Sequence, residues 1–168
     1  MSGTKMSVGV ENFWHVECFD KTGDLKWIED FPNLVTVLGR ARLLNCMFGN
    51  YVTTEWHIGL KAGGEESTAD TLDSHAGWAE SRCYAGTRPT FTDTTATSGE
   101  ISNTGNASTF DIVTDASSIA GAFLTNSSDS SAGAPLIIYG VGEFASTRVC
   151  SSGDKLVVTV TCTITTTT

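Results

Sequence analysis

Hydrophobic and polar residues alternate most regularly near the end of the chain, from Leu156 to Thr165. Every second residue there is apolar, namely Leu156, Val158, Val160, Cys162 and Ile164. The residues between them are threonines except for Val157. Because side chains point alternately to opposite faces of a strand, this segment is predicted to have one buried and one solvated face. Its apolar face needs a second layer to cover it, which indicates a β-sandwich.

The same alternation appears near the start of the chain, where Trp14–Phe19 and Leu25–Asp30 flank a polar turn. This pattern predicts a hairpin with Trp14, Val16 and Cys18 on its buried face. Phe31-Pro32-Asn33 is expected to end the second strand. Further strands are predicted at residues 54–61, 82–92, 100–103, 107–113, 119–125, 136–141 and 143–150.

One segment has helical rather than alternating spacing. Leu34, Leu38, Ala41 and Phe48 fit one face of a helix. Because Gly39 disfavours a helix interior, we predict that the helix covers only residues 40–48 and that Gly49 and Asn50 end it. It is expected to close one end of the sandwich.

These elements predict an all-β fold, a two-sheet antiparallel sandwich of the jelly-roll or immunoglobulin-like type, with one short helix near 40–48. The small, polar residues 1–10 are predicted to form an N-terminal arm, and residues 11–168 a single domain. A long loop at 62–79 is expected to be anchored in the core by Leu72 and Trp78.

Composition and charge argue against two classes of function for this protein, namely nucleic-acid binding and membrane association. The net charge is −9, from 19 acidic and 10 basic residues, and the basic residues are scattered, so nucleic-acid binding is not expected. No apolar run resembles a signal peptide or a membrane-spanning helix, so no membrane association is expected. The five cysteines lack paired C-x-x-C spacing and are predicted to be reduced, mostly buried thiols.

The sequence contains no pattern that predicts a catalytic, metal or cofactor site. His15, His57 and His75 are far apart, and the first two are expected to face solvent. Asp73-Ser74-His75 has the residue types of a hydrolase triad, but adjacent residues rarely adopt its geometry. The candidate residues are therefore partner contacts: Trp27, Trp78, Lys5 and Met6.

Several short sequence segments together match the pattern of one protein family. They are Trp27, residues 33–35, Gly39, and residues 59–61, 69–71, 75–78, 88–89, 119–124 and 152–156. With these segments the chain resembles, over most of residues 12–165, a family of small virion structural proteins of tailed bacteriophages. The matching residues are typical of turns and of the hydrophobic core, not of an active site.

The resemblance implies a non-enzymatic capsid decoration, or cement, protein. Such a protein is made in the host cytoplasm, sits on the capsid surface of the virion, and bridges neighbouring major capsid subunits. It typically forms a dimer or trimer, and residues 1–10 could pair across subunits. The alternative is a tail, fibre or head-surface domain that binds a host glycan or receptor through Trp78 and the loops at 62–79 and 126–134. A surface depolymerase is the third hypothesis, and it lacks a carboxylate or triad constellation.

Overall fold

The structure is a computed structural model that describes residues 7–48, 55–129 and 136–167. These ranges contain nine strands and one helix. In chain order they are β1 (Ser7–Phe19), β2 (Leu25–Val35), α1 (Val37–Met47), β3 (His57–Gly64), β4 (Trp78–Ser81), β5 (Glu100–Ser102), β6 (Ser108–Asp111), β7 (Ser117–Thr125), β8 (Ile138–Cys150) and β9 (Lys155–Thr167).

All strand pairs are antiparallel, and the hydrogen-bonded order is β4-β3-β7-β8-β2-β1-β9-β5, with β6 also pairing with β9. The predicted all-β antiparallel class with one short helix is confirmed. The path through the nine described strands is continuous, so they form one sheet, and the predicted division into two sheets is not confirmed. β2 joins the two halves, because it pairs with β1 as far as Pro32 and with β8 from Asn33 to Val35.

The two most regular sequence patterns pair with each other. β1 and β9 are in register from Ser7 opposite Thr167 to Phe19 opposite Lys155. Trp14 therefore lies opposite Val160 and Val16 opposite Val158, and all four side chains are buried, as predicted. Residues 7–10 of the expected arm are the first part of β1, and residues 1–6 lie outside the described ranges.

The main core combines side chains from both halves of the strand path. Trp14 stacks on Phe31 with ring centroids 6.0 Å apart, and Phe31 meets Phe144 edge-on at 5.0 Å. Ile58 and Leu60 of β3 belong to the same cluster. Each buried side chain of this size contributes about 1.5–3 kcal/mol relative to an exposed one. Side chains from the other half of the strand path therefore pack in the same cluster as the apolar faces of β1 and β9.

The helix differs from its prediction in both position and buried face. It begins at Val37, because the Thr36 hydroxyl accepts a hydrogen bond from the amide of Gly39 and caps the first turn. Gly39 lies in that turn because a Cβ there would collide with the carbonyl oxygen of Tyr139. The buried residues of α1 are Gly39 and Arg42. The predicted apolar face is wrong: Leu34 belongs to β2, and Leu38, Ala41 and Phe48 are exposed. Gly49 and Asn50 are outside the described residues.

Three further strand predictions are wrong. Phe31-Pro32-Asn33 does not end β2, which continues to Val35. The segment 82–92 forms only isolated bridges, and the strand in this region is β4, just before it. The two strands predicted at 136–141 and 143–150 are one strand, β8. The other predicted strands are present, with shifted ends.

Within the described part of the chain, no helix is long and apolar enough to cross a bilayer.

Candidate functional site

Trp78 was predicted as a partner contact, and the structure places it in the interior. Its side chain is only 6% exposed. It stacks on His75 with centroids 4.0 Å apart and packs against Phe123 at 5.1 Å. Its indole N–H donates a hydrogen bond of 2.8 Å to Asp70 Oδ2. Trp78 and Leu72 thus anchor the loop between β3 and β4, as the sequence predicted. The buried Trp78 side chain leaves little surface for a partner to contact.

The other three predicted contacts are not brought together by the described structure. Trp27 is half-buried, meets Phe144 edge-on at 5.8 Å and lies beneath the Arg148 guanidinium at 5.9 Å. Lys5 and Met6 lie outside the described residues.

Several carboxylates connect separate parts of the fold through ion pairs. Glu80 accepts two hydrogen bonds from Arg88, at 2.8 and 2.7 Å. Glu29 on β2 binds Arg148 on β8 at 2.5 Å. Glu66 binds the fully buried Lys61 at 2.5 Å. These ion pairs hold loops and strands in place, so the positions of the three carboxylates are explained by the fold.

A concavity lies beside α1, at the end of β9 that extends beyond the main core. It encloses about 640 Å³, a volume typical of ligand pockets and of sites that accept a protein side chain. Cys162 and Ile164, which continue the apolar face of β9, form one wall together with Val10 of β1. Leu43 and Cys46 of α1 also line the concavity. We call this concavity the α1 groove.

Two titratable groups that line the α1 groove, the Tyr139 hydroxyl and the Cys162 thiol, are uncharged at neutral pH. Trp56 and Tyr139 meet there edge-on with centroids 5.8 Å apart. Burial raises the pKa of Tyr139 to about 12 and also raises the pKa of the Cys162 thiol to about 12. Charged residues that line the groove are Asp93, Glu100 and Arg42.

Beside the groove, α1 presents large apolar side chains to solvent. Leu44 is 55% exposed and Phe48 is 74% exposed, with Met47 between them. Residues three and four positions apart on a helix lie on the same face, so these three form one patch, which we call the α1 ridge. An exposed apolar ridge next to an apolar groove is the kind of surface that binds another protein.

A separate group of three side chains lies in the interior, where β1, β8 and the turn before β9 meet. The thiols of Cys18 and Cys150 and the carboxylate of Asp154 lie within 4.8 Å of one another. A hydrogen bond between the thiols lowers the pKa of Cys18 and raises that of Cys150. All five cysteines are free, and three of them are buried, in agreement with the predicted reduced thiols.

Sequence reasoning missed both of these sites. The alternation in β9 placed Cys162 and Ile164 correctly on the apolar face, but it gave no sign that this face extends beyond the core into a groove. The ligand-type residues show no metal-site spacing in the sequence, because Cys150 and Asp154 lie close together but Cys18 is in a distant segment near the start of the chain.

No protein-family model matches the chain, and no curated protein matches its sequence.

Proposed function

We propose that this chain is a non-enzymatic capsid decoration protein that adheres to the assembled head of a tailed bacteriophage and bridges neighbouring major capsid subunits. The resemblance of residues 12–165 to virion proteins supports the virion context. The observation that carries the adhesive role is the α1 groove with its adjoining α1 ridge, an apolar surface open to solvent.

The physical case for this role rests on many weak contacts acting together. One small apolar interface binds weakly, but copies that contact the shell at every subunit junction oppose its expansion jointly. A protein that binds the assembled lattice and not free subunits stabilises the lattice by mass action. Groove and ridge suit such a contact, because a side chain of the partner can enter the groove while the ridge packs beside it.

The polar groups of the chain are consistent with a structural role. Glu29, Glu66 and Glu80 are each bound to a cation from another part of the fold. These ion pairs tie β2 to β8, β3 to the loop that follows it, and β4 to the segment around residue 88. A rigid block of this kind transmits load between the subunits that it touches.

The test is binding to mature empty shells of a phage that encodes the chain, measured by co-sedimentation and by the temperature at which the shells rupture. The wild-type protein is expected to bind and to raise that temperature. Leu44→Asp should abolish both effects, because it places a charge in the α1 ridge. Val113→Asp is the matched control, since Val113 is also 55% exposed but lies in the segment after β6.

Two results would contradict the proposal. One is the absence of wild-type binding under conditions where the shells stay intact. The other is equal binding by the wild type and Leu44→Asp, which would exclude the α1 ridge as the contact. Sedimentation of the free protein tests the accompanying proposal that it forms a dimer or trimer.

The alternative of a glycan-binding tail domain depends on an accessible tryptophan platform. The position of Trp78 between His75 and Phe123 gives no support for that platform. A glycan array with a saturable signal that depends on Trp27 would favour this alternative instead.

A further inference from the structure

The interior group at the ends of β1 and β8 has the composition of a metal site. Cys18 and Cys150 are both 0% exposed, and Asp154 is buried beside them. One potential ligand atom from each lies within 4.8 Å of the other two. Two thiolates and one carboxylate are donors that Zn²⁺ accepts.

The spacing of these atoms suits a tetrahedral ion. With Zn–S distances of about 2.3 Å and Zn–O distances of about 2.0–2.2 Å, ligand atoms around one ion lie about 3.5–4 Å apart. The observed upper limit of 4.8 Å therefore requires only small side-chain movements. A water molecule can supply the fourth ligand, since three protein ligands form an open site.

The backbone holds the carboxylate in place. Asp154 ends the turn that follows β8, and its Oδ2 accepts a hydrogen bond of 2.8 Å from the amide of Ser151. Cys150 immediately precedes that turn, and Cys18 lies opposite Leu156 on the paired strand. The local fold therefore fixes all three groups on neighbouring backbone segments.

A cation already lies against this group. Lys26 Nζ is 2.5 Å from Asp154 Oδ2, and the lysine side chain is one third exposed whereas that of Asp154 is almost fully buried. The ammonium supplies the positive charge that a buried carboxylate needs. Because the lysine reaches the site from the surface, it can move into solvent when a divalent cation replaces it.

We propose that Cys18, Cys150 and Asp154 bind a thiophilic divalent cation of the Zn²⁺ class, with Lys26 as the cation that it displaces. Bound metal would join the end of β1 to the end of β8 and to the turn that leads into β9. Cys18 is far from Cys150 and Asp154 in the sequence, so the site would link the first strand to the turn between the last two strands. This proposal is independent of the capsid role.

The experiment uses Co²⁺ as a spectroscopic probe on the reduced, full-length chain under anaerobic conditions. Co²⁺ is added to the folded protein and, separately, during refolding, so that a closed site cannot prevent loading. The expected result is one equivalent of Co²⁺ with a thiolate-to-cobalt charge-transfer band, displaced by Zn²⁺. Bound metal should also raise the temperature of unfolding.

Four variants locate the site. Cys150→Ser and Asp154→Asn should lose or weaken the band, whereas Cys46→Ser, which removes an exposed thiol of α1, should leave it unchanged. Lys26→Met should bind Co²⁺ more tightly than the wild type, because the competing cation is gone. This surface variant keeps the test informative even if a cysteine variant fails to fold.

The absence of a thiolate band in the folded, reduced wild type would overturn the proposal. So would a band that persists in Cys150→Ser or disappears in Cys46→Ser. Weaker binding by Lys26→Met would contradict the displacement of Lys26.

Discussion

Two cationic side chains in the interior of this protein, Lys61 and Arg88, are bound to carboxylates. Lys61 is fully buried and lies 2.5 Å from Glu66. Arg88, which is almost as deeply buried, forms its ion pair with Glu80 at 2.7 Å. Removing one member of such a pair leaves an uncompensated buried charge and costs about 3–5 kcal/mol. These carboxylates are therefore required by the fold, whatever the protein binds.

His57 is a buried ionisable residue for which the expected effect of pH can be stated. It is 7% exposed, and burial lowers its pKa below the ordinary value of 6.5. The unfolded chain then binds the proton more readily, so the free energy of unfolding should decrease as the pH falls through about 6.5. Urea denaturation at about pH 7.5 and about pH 5.5 measures this decrease, and His57→Gln should reduce it.

His15 provides a control for His57, because its pKa is shifted in the opposite direction. Its hydrogen bond to Asp30 raises its pKa, so its contribution to stability is present at low pH and is lost as the pH rises through the folded value. His15→Gln should therefore enlarge the loss of stability on acidification. An unchanged pH dependence in His57→Gln would show that another group causes it.

At the scale of elements, one side chain completes the edge of β9. β5 pairs with β9 as far as Thr161, and β6 pairs with it from Val158 onwards. Asn103 lies between these strands and is fully buried. Its amide donates a 3.0 Å hydrogen bond to the Val158 carbonyl, and its Oδ1 accepts one of 2.7 Å from the amide of Val160. The side chain thus replaces the missing part of a neighbouring strand.

Asn103→Ala should be strongly destabilising. It leaves one buried donor and one buried acceptor of β9 without partners, at about 1–3 kcal/mol each, so we expect a loss of roughly 2–6 kcal/mol. Chemical denaturation measures the loss. Asn106→Ala, at an exposed asparagine of the same loop, should change stability by less than about 0.5 kcal/mol. Similar effects of the two substitutions would contradict the role given to Asn103.

The elements also show why sequence reasoning succeeded for some strands and failed for others. β1 and β9 have one buried face, so alternation identified Trp14 and Val160 as core residues. β3 is covered on both faces, because a second apolar cluster that includes Phe123 and Ile138 lies on its other side. His57 is therefore buried, although the alternation predicted that it faces solvent. The first half of β8 is likewise buried on both faces, and β8 is one strand where the sequence predicted two.

Apart from the Thr36 cap, which is a local signal, the helix and the candidate sites depend on contacts between distant segments. The start of α1 is set by the capping hydroxyl of Thr36 and by the close approach of Gly39 to Tyr139, a contact between distant segments. The α1 groove exists because β9 extends past the core, and the thiol site exists because β1 and β8 end near the same turn. Periodicity predicts which face of a strand is apolar, but not what covers it.

For the whole molecule, net charge and the α1 ridge act against each other. The charge of −9 keeps copies apart at neutral pH, while the exposed Leu44, Met47 and Phe48 favour contact. Near the isoelectric point of about 4.6 the repulsion is lost. The exposed α1 ridge should then cause the protein to associate with itself.

We expect the sedimentation coefficient to increase as the pH is lowered from about 7 towards the isoelectric point. Leu44→Asp should reduce this association, and Val113→Asp, which adds the same charge elsewhere, should reduce it less. Equal suppression by the two variants would show that total charge, and not the α1 ridge, governs the association. Analytical ultracentrifugation over a pH series provides the measurement.

The antiparallel register of β1 and β9 places Ser7 beside Thr167. A force that pulled these two points apart would act on one pair of the ladder at a time, so the two strands would unzip with little mechanical resistance. A force applied to the faces of the sheet, and not to the strand ends, would instead have to break many side-chain contacts at once. In the proposed bridging role, the protein should therefore resist load well when its neighbours bind to its faces, and poorly when they pull on the ends of β1 and β9.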